Sequence, residues 1–153
     1  MKTKKVPKVS IVVPSYNRKN DLLECLQSIK KNRYSNLEVI VALNGCIDGS
    51  ESAVRKFFPQ FKVISAKKGL GSAKATNFGI KNVSKNSDYL FLLDDDTVLE
   101  KNAISELVKA IDDKSEYGAA TAKVLYFENP KMVQWAGCSV GLYTGINLSL
   151  IHI

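Results

Sequence analysis

Tyr89-Leu-Phe-Leu-Leu-Asp94-Asp95-Asp96-Thr97 is the stretch of the sequence that decides the fold. Five largely apolar residues run directly into three carboxylates, and the apolar part has the length and composition of a buried strand. Like charges about 4 Å apart repel by roughly 1 kcal/mol in water and by roughly 4 kcal/mol at an effective dielectric constant near 20. A divalent cation with oxygen ligands would offset that repulsion. The alternative is an acidic loop or a helix N-terminus, where aspartate is favoured in any case.

Segments with strand and helix patterns alternate on both sides of this stretch. Three apolar, β-branched runs before it are predicted as strands: Val9–Val13, Leu37–Ala42 and Phe61–Ile64. Apolar residues at helical spacing predict a helix after each strand, and a capping box of Asp21 and Glu24 is expected to start the first helix. This alternation predicts an α/β fold with a mainly parallel sheet and helices on both faces.

The C-terminal part of the sequence has a different character. Tyr117–Ala122 is predicted as one more strand, and residues 132–153, which contain no Asp, Glu, Lys or Arg, are predicted to form strands and turns. The sequence stops without a closing helix or a polar tail, so we expect it to be truncated at the C-terminus. The predicted organisation is a basic N-terminal arm, residues 1–8, followed by one incomplete domain, residues 9–153.

Charge and cysteine content narrow the class of protein. A net charge of +7 fits nucleic acid, an anionic membrane surface or a phosphorylated small ligand as a partner. The sequence has no nucleic-acid-binding module, so we expect no nucleic acid, whereas the N-terminal lysines leave peripheral membrane contact open. Three widely spaced cysteines without a signal peptide predict a cytoplasmic location, with association at the cytoplasmic membrane face as an alternative. A single histidine argues against a zinc site.

Four loops follow the four predicted strands, and in a parallel sheet they meet at one edge. They offer small residues for close backbone approach, Arg18 and Lys74 for phosphate, and carboxylates for a metal ion. This combination suits a nucleoside diphosphate bridged to Mg²⁺ or Mn²⁺. The sequence has no GxxxxGK[ST] motif, and Gly69-Leu-Gly71 fails the dinucleotide-binding pattern at its sixth position.

Four segments of the sequence resemble motifs of the family-2 glycosyltransferases, which have the GT-A fold. Val9–Arg18 resembles the first strand and loop of that family, and Asn44–Ser50 resembles the loop after its second strand. Gly71–Gly79 is similar to its helix start, and Leu93–Thr97 resembles its DxD motif. Each motif alone is common, but the four occur in the family's order, so as a set they are specific.

The resemblance implies a sugar nucleotide donor, Mn²⁺ or Mg²⁺, and a glycan or lipid-linked acceptor, as in polysaccharide biosynthesis. It implies a metal site on Asp94 and Asp96. It also implies a larger donor-binding set: Pro14, Tyr16, Asn17, Arg18, Asn44, Asp48, Gly71, Lys74, Asn77, Asp94 and Asp95. Alternatives stay open for three of these residues: an ordinary exposed lysine for Lys74, helix packing for Asn77, and a turn and helix-start role for Asp48.

The sequence departs from the family pattern in two places. The family commonly has an acid before the asparagine of the second loop, where it pairs with the base, but this position is Leu43. Inverting members use a general base on a later segment, and none of the acids after Asp96 lies in such a motif. We therefore expect the general base beyond Ile153 and an inactive chain. The alternatives are a non-catalytic nucleotide- and metal-binding fragment and a sugar nucleotidyltransferase.

Overall fold

The computed structural model describes residues 5–113, 117–140 and 147–149, which fall in two units, Met1–Asn102 and Ala103–Ile153. The first unit alternates strands and helices along its whole length. Its elements are β1 (Val9–Ser15), α1 (Lys19–Lys30), β2 (Leu37–Leu43), α2 (Ser50–Phe57), β3 (Lys62–Ser65), α3 (Ser72–Ile80) and β4 (Tyr89–Leu92).

The four strands form one parallel sheet in the order β3-β2-β1-β4. The chain moves outward from β1 to β3 and then returns past β1 to β4. Right-handed crossovers therefore place α1 and α2 on one face of the sheet and α3 on the other. The predicted parallel sheet with helices on both faces is confirmed.

Strand β1 lies between β2 and β4, and six of its seven residues are buried. Since successive side chains of a strand point to opposite faces, this burial means that both faces of β1 are covered. The run Val9-Ser-Ile-Val-Val13 supplies the β-branched side chains that such a strand needs. Helix α3 passes so close to β1 that a Cβ atom on Gly79 would lie 2.3 Å from Val12 Cγ1.

The strand order creates a topological switch point between β1 and β4. At such a point, the loops that follow the two neighbouring strands border a crevice at the carboxyl ends of the strands. The loop after β1 carries Arg18, and the loop after β4 carries Asp94–Asp96. The fold thereby brings together two charged segments that are almost eighty residues apart in sequence.

Helix α1 begins at Lys19, two residues before the predicted capping residue Asp21, so the predicted capping box is wrong. Asp48 from the loop after β2 takes that role, because its Oδ2 accepts the Lys19 N–H at 2.9 Å. The start of α1 is therefore set by a hydrogen bond from a distant part of the sequence and not by the local capping pattern of Asp21 and Glu24.

At the amino ends of the strands, Glu38 joins three segments of the first unit. Its carboxylate accepts the Ser10 hydroxyl at 2.5 Å, the Ser84 hydroxyl at 2.5 Å and the Ser84 N–H at 3.0 Å. Burial alone would raise the pKa of Glu38, but these hydrogen bonds together lower it. The predicted arm ends beside this cluster, where the Lys8 N–H donates to Asp88 Oδ2 at 2.7 Å. The end of the arm is thus held against the sheet, and residues 1–4 lie outside the described residues.

Replacing Glu38 with glutamine is expected to lower the free energy of unfolding by about 1–3 kcal/mol at pH 7, because hydrogen bonds to a charged acceptor are lost. The pKa of Glu38 is lower in the folded protein than in the unfolded chain, where it is ordinarily 4.5. The ionised carboxylate therefore stabilises the folded protein fully when the pH is above the unfolded pKa, and this contribution is lost as the pH falls through the folded pKa. The difference between wild type and variant should therefore shrink in urea titrations run below about pH 4.5. Glu24→Gln on the exposed face of α1 is the control, with an effect under about 0.5 kcal/mol at any pH. A pH-independent difference for Glu38→Gln would contradict this account.

The second unit contains one helix and two short strand pairs. Helix α4 spans Ala103–Asp112, β5 (Val124–Leu125) pairs antiparallel with β6 (Val133–Trp135), and β7 (Cys138–Val140) pairs antiparallel with β8 (Asn147–Ser149). The strands predicted after residue 132 are confirmed for the described residues, while 141–146 and 150–153 lie outside them. Across the described ranges, every helix is too short or too polar to cross a lipid bilayer.

The strand predicted at Tyr117–Ala122 is wrong, since these residues form no regular structure and are mostly exposed. Glycine and alanine make up most of the segment, and both are depleted in strands because they offer little side chain to pack. The first pairing in this unit begins two residues later, at Val124.

Candidate donor-binding site

A cavity of about 660 Å³ lies at the carboxyl edge of the sheet in the first unit. It is lined by eight of the predicted site residues: Pro14, Tyr16, Arg18, Asn44, Gly71, Asp94, Asp95 and Asp96. The lining also includes four residues that the sequence did not single out: Ser15, Gly69, Ser72 and Ala75. Ser15 ends β1, Gly69 lies in the loop after β3, and Ser72 and Ala75 belong to the first turn of α3, so closeness to a strand end or a helix start was the signal that could have identified them.

The three consecutive acids have different environments. Asp94 and Asp96 are exposed, whereas Asp95 is only 6% exposed. Asp95 Oδ2 is buried without a hydrogen-bond partner among the described residues. Burial raises the pKa of Asp95, and the nearby Ser15 hydroxyl and the charge of Arg18 offset this effect only in part. All three acids line the cavity, but the middle one is largely buried and the outer two are exposed.

Arg18 is the cation nearest to these acids. Its Nη1 lies 2.8 Å from Asp96 Oδ2 and 3.5 Å from Asp95 Oδ1, and its Nε lies 3.2 Å from Asp21 Oδ2. The hydrogen bond with Asp96 raises the pKa of the Arg18 guanidinium further above its ordinary value, so the group stays charged. Repulsion among the acids is thus relieved by a residue of the first loop, which the sequence had assigned to phosphate.

Asn17 joins the first loop to the second. Its Oδ1 accepts the Ile47 N–H at 2.8 Å, and its own N–H donates to Cys46 Sγ at 3.4 Å. Asn17 has a positive φ of 52°, a conformation that asparagine adopts more readily than most residues. Its side chain does not line the cavity in the described structure. Asn17 therefore positions the loops, and its predicted contact with a nucleotide is untested.

Asn44 joins the second loop to the third, because its Oδ1 accepts the Leu70 N–H at 2.7 Å. Beside it, the two loops are so close that a Cβ atom on Gly45 would lie 2.6 Å from Gly69 N and 2.7 Å from Lys68 C. Gly45 has a φ of 77°, which glycine adopts at little cost. The first three loops are therefore held together by hydrogen bonds and close backbone contact.

Asp48 supports the starts of two helices. Its Oδ2 accepts the Lys19 N–H of α1, and its Oδ1 accepts the Ser50 N–H of α2 at 3.1 Å and the Ser50 hydroxyl at 2.6 Å. Burial alone would raise the pKa of Asp48, but the hydrogen bonds together lower it. Its carboxylate is used by helix starts, so the structure supports the helix-start alternative, and Asp48 does not line the cavity.

Helix α3 directs its N-terminus toward the cavity, where Gly71, Ser72 and Ala75 form part of the lining. The free N–H groups and the positive dipole end of a helix N-terminus favour a phosphate group. Lys74 and Asn77 are exposed on the same helix and are not part of the lining. The geometry thus agrees with the alternative of an ordinary exposed lysine at position 74.

Two buried side chains limit the chemistry of this edge. Leu43, at the position where the resemblance leads one to expect an acid, is 1% exposed and belongs to the core. Cys25 lies beneath the acids, and its thiol donates to the Asp94 carbonyl at 3.7 Å. Burial raises the pKa of Cys25 to about 12, so it is a neutral thiol at physiological pH. Neither residue offers a charged group to a ligand.

The described residues contain no group of three or more His, Cys, Asp or Glu side chains arranged to hold a metal ion by themselves. Mg²⁺ typically takes only one or two carboxylates from a protein and completes its shell with substrate phosphates and water. Asp94 and Asp96 face the cavity, and Asp95 has a buried oxygen without a partner. The carboxylates present therefore fit a metal ion that shares its coordination with a diphosphate.

The fold and the site define an α/β domain with a parallel sheet and a cavity lined by acids at the carboxyl edge of that sheet. Residues 10–147 match the sequence profile of Glycosyl transferase family 2, and the chain belongs to this family. The predicted family and the GT-A fold are thereby confirmed.

Two solved structures and one curated relative illustrate the similarity. The chain is 33% identical over 109 residues to glycosyltransferase GlyG of Streptococcus pneumoniae, which covers 69% of this chain and 36% of GlyG. Mannosyltransferase PcManGT of Pyrobaculum calidifontis was solved with GDP-Man and Mn²⁺. It superposes on this chain with a TM-score of 0.63 and 26% sequence identity, and the match covers 69% of this chain and 32% of the PcManGT chain. TarS of S. aureus, solved with UDP-GlcNAc, superposes with a TM-score of 0.63 at 20% sequence identity. This match covers 80% of this chain and 41% of the TarS chain. The chain thus spans about a third of the length of GlyG.

Proposed function

We propose that this chain is the donor-binding part of a metal-dependent glycosyltransferase. The observation that carries the proposal is the cavity that places exposed Asp94 and Asp96, Arg18 and the N-terminus of α3 around one space. Carboxylates suit a divalent ion, and the guanidinium and the helix N-terminus suit phosphate. PcManGT, with GDP-Man and Mn²⁺, supports a nucleotide diphosphate sugar as the donor class.

Each part of the donor has a candidate partner. Tyr16 is 56% exposed at the rim of the cavity and presents an aromatic face on which a base can stack, next to Pro14. Gly71 and Ser72 at the start of α3 would contact the diphosphate. Asp94 and Asp96 would hold Mn²⁺ or Mg²⁺, with Asp95 behind them. Asn17, Asn44 and Asp48 would act through the loops that they hold in place.

When bound, the metal ion supplies positive charge that stabilises the departing nucleoside diphosphate. The chain's own contribution is to orient the diphosphate through Arg18 and the α3 N-terminus. The deprotonation of a glycan or lipid-linked acceptor needs a general base, and the proposal assigns no residue of the cavity to that role. We further propose that the enzyme inverts the anomeric centre, that this chain alone is inactive, and that the protein is cytoplasmic.

The alternative, a non-catalytic fragment that binds metal and nucleotide, shares the expectation that this chain alone transfers no sugar. Transfer of sugar from a radiolabelled donor by this chain would exclude that alternative. The sugar nucleotidyltransferase alternative is not favoured, because the loop after β1, Pro14-Ser-Tyr-Asn-Arg18, lacks the glycine-rich character that we expect of such enzymes.

Calorimetric titration with UDP and with GDP in the presence of Mn²⁺ tests the proposal. Asp96→Asn is expected to weaken nucleotide binding by roughly 10- to 100-fold, because a charge-assisted contact is typically worth about 1.5–3 kcal/mol. Asp21→Asn is the matched control, since Asp21 also pairs with Arg18 but does not line the cavity. We expect less than a threefold change for this control, in line with the small value of exposed ion pairs.

Two results would count against the proposal. Failure of the wild-type chain to bind either nucleotide with Mn²⁺ would reject donor binding. Binding that is equally strong in wild type and Asp96→Asn would reject the assigned metal ligand.

A further inference from the structure

Arg18 contacts Asp96, one of the two acids to which the proposed function assigns a metal ion, and the neighbouring Asp95. Its Nη1 contacts Asp96 at 2.8 Å and Asp95 at 3.5 Å. The Arg18 side chain is 48% exposed, so it can leave this position without opening the core. The guanidinium is therefore an exposed cation in contact with a carboxylate that the proposed function assigns to a metal ion.

The buried carboxylate of Asp95 explains why a cation is needed there at all. Asp95 is 6% exposed, and its Oδ2 is buried without a hydrogen-bond partner among the described residues. A buried carboxylate is costly unless an opposite charge is close by. In this structure Arg18 provides that charge, while no three acidic, histidine or cysteine side chains of the described residues are grouped as a metal site.

A metal ion on Asp96 and the guanidinium of Arg18 would repel each other at contact distance. Arg18 can avoid this repulsion if it moves onto an anion in the same cavity. A diphosphate is suitable, because the planar guanidinium donates two parallel hydrogen bonds to phosphate oxygens. The N-terminus of α3, with Gly71 and Ser72, borders the same cavity and favours that anion.

We propose that Arg18 is an exchangeable counter-ion that makes metal binding depend on the nucleotide. Without donor, Arg18 pairs with Asp95 and Asp96 and competes with the metal ion. With donor, it transfers to the diphosphate, and the metal ion takes its place beside the acids. The inference rests on the proposed function for the identity of the anion, but the competition between Arg18 and the metal ion can be measured without any nucleotide.

The test compares wild type with Arg18→Ala in two titrations. In the first, Mn²⁺ alone is added and the free ion is followed by electron paramagnetic resonance. In the second, GDP or UDP is added at saturating Mn²⁺ and followed by calorimetry. Removal of Arg18 is expected to strengthen binding of Mn²⁺ alone by roughly tenfold and to weaken binding of the nucleotide by roughly tenfold. Opposite changes in the two affinities would distinguish this role from a structural one, which would weaken both.

Arg55→Ala is the matched control, because it also removes one arginine from an ion pair, that with Glu51, but outside the cavity. It is expected to change neither affinity by more than about twofold. Arg18→Lys keeps the positive charge but lacks the planar guanidinium that donates two parallel hydrogen bonds. This variant should therefore still bind Mn²⁺ alone weakly, while its affinity for the nucleotide falls.

Unchanged or weaker binding of Mn²⁺ alone by a folded Arg18→Ala variant would overturn the inference, with folding checked by circular dichroism. If wild type bound no nucleotide at all, the proposed function would fail, and the titration with Mn²⁺ alone would still decide whether Arg18 competes with the metal ion. Stronger Mn²⁺ binding by the variant in that case would support the counter-ion role.

Discussion

Replacing Gly79 with valine is expected to lower the free energy of unfolding by about 3 kcal/mol, the upper end of the usual cost of overpacking a core. A Cβ atom at this position would lie 2.3 Å from Val12 Cγ1 and 3.4 Å from the Ala42 Cβ. Val12 lies on β1, the central strand, and is fully buried, so it has no free space into which to move. Helix α3 would have to shift away from the sheet. Urea unfolding followed by circular dichroism measures the loss.

Ala73→Val on the same helix is the matched control, because it introduces the same side chain at an exposed position. It is expected to cost only about 0.5 kcal/mol through helix propensity. A second check is the double variant Gly79→Ala with Val12→Ala, in which the contacting Cγ1 atom is removed. The two substitutions together should cost less than the sum of their separate costs, as is typical of residues in contact. Strict additivity would show that the close contact of α3 with β1 is not what requires glycine.

Replacing Gly45 with alanine is expected to lower the free energy of unfolding by about 2–4 kcal/mol and to weaken nucleotide binding. The positive φ of 77° costs a non-glycine residue about 1–2 kcal/mol. The added Cβ would also lie 2.6 Å from Gly69 N, a backbone atom that cannot rotate away. The second and third loops must then separate, and the Asn44–Leu70 hydrogen bond, worth about 1 kcal/mol, is lost with them.

Gly49→Ala separates backbone strain from the steric contact. Gly49 has a similar φ of 82°, but the nearest atom to an added Cβ is Ser52 Oγ at 3.8 Å. It is expected to cost only the strain, about 1–2 kcal/mol, and to leave nucleotide affinity unchanged. Equal effects of Gly45→Ala and Gly49→Ala on stability and binding would show that close packing of the two loops does not matter.

The parallel sheet of the first unit could be predicted because its signals are local. Each strand is a short apolar run, each helix has its own apolar spacing, and glycines such as Gly45 and Gly71 mark the loops between them. Since parallel strands require helical crossovers, the alternation alone determines which strand ends share an edge. The predicted meeting of Arg18 with the acids followed from that rule.

The roles of individual side chains in the loops could not be predicted in the same way. Asp48 was assigned to turn, helix start or base contact, but its hydrogen bond to Lys19 depends on a residue 29 positions away. Asn17 and Asn44 likewise use their side-chain oxygens to bind the backbone of a different loop. Short polar side chains can satisfy many partners, and only the three-dimensional arrangement selects among them.

In the second unit, the failed strand at Tyr117–Ala122 has a different cause. A run of glycine and alanine is compatible with a strand but contributes little apolar surface to stabilise one. Val124 and Leu125, with larger side chains, form the observed pairing with β6 instead.

The pairing of β1 with β4 also has a consequence during synthesis of the chain. Val9 pairs with Tyr89, so the central strand is made about eighty residues before its second neighbour. At roughly 5–20 residues per second, one side of β1 waits for about 4 to 16 seconds while its partner is still being translated. Strand β2 follows much sooner and can cover the other side. A nascent chain should therefore be most prone to misassociation before β4 leaves the ribosome, and a chaperone that holds β1 during that interval would benefit folding more than one acting after translation ends.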